Sequence, residues 1–302
     1  MTAVRGNGIM ATPRNTIKTK GKAPSRIIDA TRKSTDKTQT TADGYHFPTG
    51  LIETGKPQLD PRLKKSTVLW RYMDAAKFFS LIDCATVDCG AIPFCRGDKF
   101  EDKFEGAFTR PLKELIDNAL KGIDSGIDFE TFKRRLRESV FISSWHASSR
   151  DSMAMWRIYG GSKCAVAITT TVGQLEIAMQ KAKFPHELAI SKVDYVEHWK
   201  SPDLCIKPYS RLFTYKVKAY AFEKEVRLII DRYQYFAKHY VPVAEKTMLL
   251  PIKLKPTINS IVVSPEAPEW FMTLIMNTAR RLGMDERAVR SKLALAPETE
   301  FR

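Results

Sequence analysis

The chain has 302 residues, 43% of them hydrophobic, and carries 49 Lys and Arg against 34 Asp and Glu, a net charge of +15. That length and composition suffice for a buried core, while no apolar run approaches the ~20 residues of a membrane helix, which argues against a helical span. A charge of this size favours polyanion partners, and five cysteines at positions 84, 89, 95, 164 and 205 fit neither paired metal-ligand spacing nor an even disulfide framework.

The start, MTAVRGNGIMATPRN, lacks an apolar signal core, so a reducing cytoplasm is the expected compartment and no metal is expected. Residues 1–65 hold thirteen Lys and Arg against five Asp and Glu, a net +8, and have few clustered large apolar residues. Such a stretch cannot bury enough surface to offset the entropy of ordering, and it reads as a disordered basic arm ahead of one domain at 66–302. From Val68 to Tyr72 an apolar strand carries one internal cation, Arg71, which needs an anion or a carboxylate to face. Asp74 to Ile82 fits a helix or a helix plus strand, and Ala91 to Gly106 reads as a charged loop anchored by Phe94, Phe100 and Phe104, whose Asp98, Glu101, Asp102 and Glu105 suggest a cation site less well than pairing with the interleaved Lys and Arg or solvation, since their spacing matches no calcium-loop pattern. Pro111 to Gly122 is an amphipathic helix, and Asp128 caps a second one with Phe129, Phe132 and Leu136 inward. On the outer face of that second helix Lys133, Arg134, Arg135 and Arg137 form a candidate nucleic-acid contact, a pattern that an ordinary solvated face shares.

Val140 to Ala167 packs a strand, a polar turn, a short helix and a second strand into under thirty residues. Ser143, Ser144 and Trp145 lie at the end of the first strand, facing a helix on which Met153, Trp156 and Tyr159 recur at helical spacing. Gly160 and Gly161 end that helix, Val172 to Lys183 is a third amphipathic helix, and Ala189 to Trp199 reads as a strand with His198 structural. In Glu225 to Ile230 a period of two places Glu223, Glu225 and Arg227 on one face and Val226 and Leu228 on the other. Adjacent carboxylates repel, so a cation must accompany them, and a surface Glu225/Arg227 pair is the plain alternative to a site. Met248 to Leu254 and Ile258 to Val263 read as strands, Pro268 opens a helix with Trp270, Phe271, Leu274 and Ile275 inward, and Glu286 to Leu293 as a last short helix.

The segments WRYMDAAKFFSLI (70–82), FEDKFEG (100–106), FISSWHASSRDSMAMWRIYGGSKCAVAI (141–168), YKVKAYAFEKEVRLI (215–229) and INSIVVSPEAPEWF through VRSKL (258–293) together resemble the bacterial domain-of-unknown-function 2971 family. The family's NDPFEG pattern departs here at Glu101 and Lys103. The order Arg71, Ser143-Ser144, Glu223-Lys224-Glu225 also resembles ADP-ribosyltransferases of the Arg, Ser, Glu type, without their full Ser-Thr-Ser pattern. That resemblance implies an α+β fold of mixed, strongly bent sheets with flanking helices, and NAD as substrate. It further implies Glu225 as the catalytic carboxylate and Glu223 as the acceptor-side helper. Arg71 would lie on an NAD phosphate and Ser143 or Ser144 on ribose, with Trp145, Trp156 or Tyr159 against nicotinamide and Tyr72 and Arg227 in the same cofactor-binding set. The implied reaction is transfer of ADP-ribose to a nucleic acid or protein, which would suit a toxin or phage-defence effector with a neutralising protein partner. The alternative expectation is a non-catalytic nucleic-acid-binding or accessory protein working through its basic arm.

Overall fold

The computed structural model describes residues 39–40, 46–47, 56–83, 88–100, 102, 104–122, 126–183, 186–197, 208–232, 240–242 and 244–294. The chain divides into two compact units, residues 1–50 and 51–302. In the first, the described residues form a two-residue antiparallel ladder, Gln39–Thr40 against His46–Phe47, and the rest of the expected arm up to residue 55 lies outside the described residues. The arm's expected boundary at residue 65 is corrected. Gln58–Leu59 joins the main sheet of the second unit as a short parallel strand, Leu63 is buried, and Lys65 pairs with Glu176 at 2.9 Å. Leu63 belongs to the main apolar core and Leu59 packs against it.

The second unit is a mixed α+β fold with an open sheet. Its main strands are β1 (Val68–Asp74), β2 (Cys89–Arg96), β3 (Val140–Ala147), β4 (Ala165–Thr171), β5 (Glu187–Lys192), β6 (Glu225–Asp231), β7 (Thr247–Lys253), β8 (Ser260–Val263) and β9 (Ala288–Arg290). The helices are α1 (Ala75–Ile82), α2 (Arg110–Gly122), α3 (Phe129–Ser139), α4 (Met153–Tyr159), α5 (Val172–Ala182) and α6 (Glu269–Arg281). Several start where a side chain satisfies an orphan amide: Asp74 accepts from the amide of Lys77, Asp128 from Thr131 and Thr171 from Gln174. Among the described residues no helix is long and apolar enough to cross a membrane.

The strands run in the order β9-β8-β4-β1-β3-β6-β5, and the sheet forks at β3. On one side β3 pairs with β6 along its whole length. On the other it meets β1 only at Ala147 and His146, and β2 only at Ile142 and Phe141, so Ser143 to Trp145 have no ladder partner along that edge. β7 extends the β2 branch. Alternation assigns the two faces of β6 as the sequence predicts: Val226, Leu228 and Ile230 enter the main core, while Ile229 packs with the cluster under α2 and α3.

Four expectations are corrected. Ala91 to Arg96 is a strand, not a loop, because Gly90, Ile92, Phe94 and Arg96 alternate as buried positions against β7. The segment expected as one strand from 189 divides into β5 and Asp194–Val196, the latter paired in parallel with Tyr215–Val217, and His198 lies outside the described residues. Glu286 to Leu293 contains an edge strand, β9, parallel to β8, rather than a helix. On α6, Phe271, Ile275 and Ala279 form the inward stripe, which leaves Trp270 62% and Leu274 37% exposed.

Candidate functional site

A cavity of about 270 Å³ occupies the fork. β1 contributes Trp70 to Met73, β2 Pro93 and Cys95, β3 Ile142, Ser144, Trp145 and His146, α4 Met155 and Tyr159, and the approach to β6 Glu223 and Glu225. Adjacent strand residues point to opposite faces, so Ser144 and Trp145 would be separated by a continuous sheet. The gap along the β3 edge lets side chains of both faces reach one space.

Arg71 forms one wall. Its guanidinium donates to the Ser143 hydroxyl and, at 3.2 Å, to the Pro93 carbonyl, and lies 5.6 Å from the Trp145 ring centre. Burial pulls its pKa down to about 10, so it remains a cation at neutral pH. Among the described residues no carboxylate forms an ion pair with it. It is thus a half-buried cation held by neutral groups in the cavity lining.

Glu223 and Glu225 bring a buried charge cluster to the lining. Glu225 receives two bonds from Arg227, Nε to Oε1 at 2.8 Å and Nη2 to Oε2 at 3.0 Å, and Lys216 Nζ lies 3.4 Å from the same Oε2. Glu223 accepts from Tyr159 at 2.6 Å and from Lys216 at 2.5 Å. Burial alone would raise the Glu225 pKa, but Arg227, Lys216 and Ser144 outweigh it and hold the carboxyl below its usual range. Lys216 is therefore the cation that two neighbouring carboxylates require. Its own pKa is raised, the desolvation that opposes its charge being exceeded by Glu225, Glu223 and Glu105. Burial, with Glu223 beside it, pushes the Tyr159 phenol up, so it stays a donor. Among the described residues no cluster of His, Cys, Asp and Glu is arranged to hold a metal.

Of the residues singled out in the sequence, Arg71, Tyr72, Ser144, Trp145, Tyr159, Glu223 and Glu225 line the cavity. Ser143 lies behind it, fully buried, and orients Arg71, and Trp156 packs edge-on against Tyr72 with ring centres 4.9 Å apart. Arg227 is fully buried behind Glu225, so the surface ion pair considered as the plain reading is an interior one. Glu223 belongs to the turn of 3-10 helix Lys218–Glu223, not to the strand, and joins Glu225 through Lys216.

The α3 cations each have an intramolecular contact. Lys133 meets Glu130 at 3.5 Å, Arg134 meets Glu138 at 3.9 Å, Arg135 covers the Tyr240 ring at 4.8 Å, and Arg137 donates to the Glu105 carbonyl at 2.8 Å. Of the four, Arg134 is exposed and the other three are half-buried.

Sequence reasoning missed His146, Lys216 and Glu105 as site residues. His146 Nδ1 lies 2.5 Å from the Glu223 carbonyl, and burial lowers its pKa. Glu105 contacts Arg227 at 2.9 Å and Lys216 at 3.5 Å across more than a hundred residues of chain, a distance no local pattern spans. The one local signal is Gly106, which follows Glu105 with φ +67° and whose added Cβ would lie 2.6 Å from the Phe213 ring. Gly106→Ala is therefore expected to cost roughly 1–3 kcal/mol of stability, measured as a lower urea midpoint at unchanged slope. An unchanged midpoint would show that the turn is not held in this conformation.

Comparison with family models, with curated proteins and with solved structures finds no match to this chain.

Proposed function

We propose that the chain is an ADP-ribosyltransferase-like enzyme that cleaves NAD at the nicotinamide glycosidic bond and passes ADP-ribose to an acceptor. The observation that carries this reading is the shared cavity: Arg71, which forms no ion pair among the described residues, lines the same space as Ser144 and the buried carboxylate Glu225. It accords with the resemblance to the Arg, Ser, Glu enzymes, and a strongly bent fold of their type and membership of the bacterial domain-of-unknown-function 2971 family are part of the same proposal.

In this mechanism Arg71 binds the diphosphate and Trp145 and Tyr159 flank the nicotinamide. The bond between the ribose anomeric carbon and the nicotinamide nitrogen breaks, and its electron pair leaves with neutral nicotinamide. Positive charge spreads over the sugar, and Glu225 stabilises it more than it does the uncharged ribose of the ground state. The acceptor then attacks the anomeric carbon, and its proton passes to Glu223. A cavity of about 270 Å³ suits the nicotinamide riboside half of the substrate. The net charge of +15 favours a nucleic acid as acceptor in a cytoplasmic setting, and a toxin or defence role with a neutralising partner follows as part of the proposal.

The test is incubation of the protein with labelled NAD and, in turn, RNA, DNA and protein. Nicotinamide release with label on one acceptor class is the expected result, and neither release nor transfer overturns the reading. Salt-dependent polyanion binding with no NAD-induced thermal shift would favour a non-catalytic binding protein instead. Arg71→Met is expected to raise the KM for NAD about tenfold to a hundredfold at nearly constant kcat, since a charge-assisted contact made equally in ground and transition states is lost. A fall in kcat at unchanged KM would place Arg71 elsewhere in the reaction.

A further inference from the structure

His146 belongs to the cavity lining, and its imidazole is held in one state. Nδ1 lies 2.5 Å from the Glu223 carbonyl, and a carbonyl can only accept, so Nδ1 carries the ring proton. Nε2 is thereby left as a bare lone pair. It has no hydrogen-bond partner among the described residues, yet it is not sealed from solvent. Since His146 is only 4% exposed and lines the cavity, the cavity is where that lone pair is reached. Tyr72 meets the ring edge-on, with ring centres 6.1 Å apart.

The strand register places a second acceptor beside it. His146 and Glu225 are direct partners in the ladder of β3 and β6, and opposite residues of an antiparallel pair project on the same face with Cβ atoms about 5 Å apart. Glu225 accepts twice from Arg227 and once from Lys216, which leaves open one of the roughly four lone-pair directions of a carboxylate. The lining thus presents a carboxylate and a neutral imidazole nitrogen side by side, and neither has a donor to offer a ligand. Such a pair matches a ligand with two adjacent donors, and the vicinal hydroxyls of a ribose are two such donors.

We propose that His146 is a ribose-binding residue: its Nε2 accepts a hydrogen bond from the hydroxyl next to the one that Glu225 holds, so that β3 and β6 grip the diol together. This rests on the reading of Glu225 as the carboxylate that meets the sugar, and it names the group that tells a ribose from a deoxyribose. The contact needs a neutral ring. Burial is the main cause that lowers the His146 pKa; the contacts with Glu223 oppose it and Lys224 adds to it, so the ring is neutral at pH 7. The charged and titratable groups around the ring are Glu225 on β6, Glu223 and Lys224 on the turn before it, with Lys216 and Tyr159 bound to Glu223, and Tyr72 on β1. A ligand hydroxyl on Nε2 excludes a proton from it. Binding is therefore at full strength above the His146 pKa and weakens about tenfold per pH unit below it, and the ligand in turn lowers that pKa.

The test is a nitrogen-15 NMR titration of the histidine rings in the full chain, with and without carba-NAD. In that analogue a dihydroxycyclopentane replaces the nicotinamide ribose, so the diol stays and the glycosidic bond cannot break. His146 is expected to show Nδ1 protonated and Nε2 bare at neutral pH, and saturating carba-NAD to lower its pKa by about one pH unit or more. His146→Asn keeps an N–H for the Glu223 carbonyl and loses the ring acceptor. It should bind carba-NAD about tenfold more weakly, without the wild type's loss of affinity on acidification. A proton on Nε2 in the free protein, or carba-NAD binding that leaves the His146 titration unmoved, defeats the proposal and leaves the reading of Glu225 standing. If the Asn variant does not fold, the wild-type titration decides alone. A wild-type protein that binds neither NAD nor carba-NAD overturns the enzymatic reading and this role with it.

Discussion

Glu225→Gln is expected to lower nicotinamide release by about 10²–10³-fold while NAD still protects the protein against heat. The substitution keeps the shape of the side chain and an oxygen that can accept from Arg227 Nε, and removes only the charge. The lost charge acts on the transition state, where the sugar becomes cationic, and hardly at all on bound NAD, so kcat falls and KM does not. The fold should tolerate the change. With Glu225 neutral, Glu105 and Glu223 still face Lys216 and Arg227, two carboxylates against two cations, and Arg227 keeps its 2.9 Å contact with Glu105. Nicotinamide release and melting temperature, measured with and without NAD, are the readouts. A Gln variant as active as the wild type would remove Glu225 from the chemistry, however well placed it is.

Arg227→Met should have the largest effect on stability of any single change in the cluster. It leaves Glu105 and Glu225, both nearly fully buried, with Lys216 as their shared cation, and breaking a buried ion pair in this way costs about 3–5 kcal/mol. For a chain of this size that corresponds to a fall in melting temperature of roughly 6–20 °C. The pH dependence gives the sharper test. In the wild type Glu225 titrates below its unfolded value, so its contribution to stability is complete above the ordinary carboxylate range and is lost as the pH falls through the lower folded value. Glu105 already titrates above its usual range, because burial outweighs Arg227 and Lys216. Without Arg227 both carboxyls shift upward, and they penalise the variant most at neutral pH. The penalty shrinks as acid protonates them, so wild-type and variant stabilities should converge below about pH 5. A deficit of equal size at pH 5 and pH 8 would mean that Arg227 contributes packing rather than charge.

The parts of the site legible in the sequence were those with local signatures. Arg71 stood out as a charge inside an apolar strand, Ser143 and Ser144 as small polar residues at a strand end before a capped helix, and Glu225 and Arg227 by their period of two. Each signature arises from one stretch of backbone, whose side chains point where the element's geometry sends them. Errors came where a segment's state depends on its neighbours. β2 carries a proline and few β-formers, and it is a strand because β7 and β3 lie beside it; β9 exists because β8 offers an edge. Trp270 and Leu274 fit an apolar stripe by composition, but the helix turns Phe271 and Ile275 to the sheet instead.

By itself the sequence determined the basic excess, the capped amphipathic helices, the alternating faces of β6 and the need for some cation beside Glu223 and Glu225, since each follows from residue chemistry and short-range periodicity. Only the tertiary structure decided that the cation is Lys216 and that Glu105 is the third carboxylate. It also decided that the sheet opens at Ser143 to Trp145 to admit groups from both faces. The reason is physical: charges taken out of water seek whichever opposite charge the packed chain brings within about 3 Å. Glu105 and Arg227 are separated by 122 residues, and folding alone brings them together.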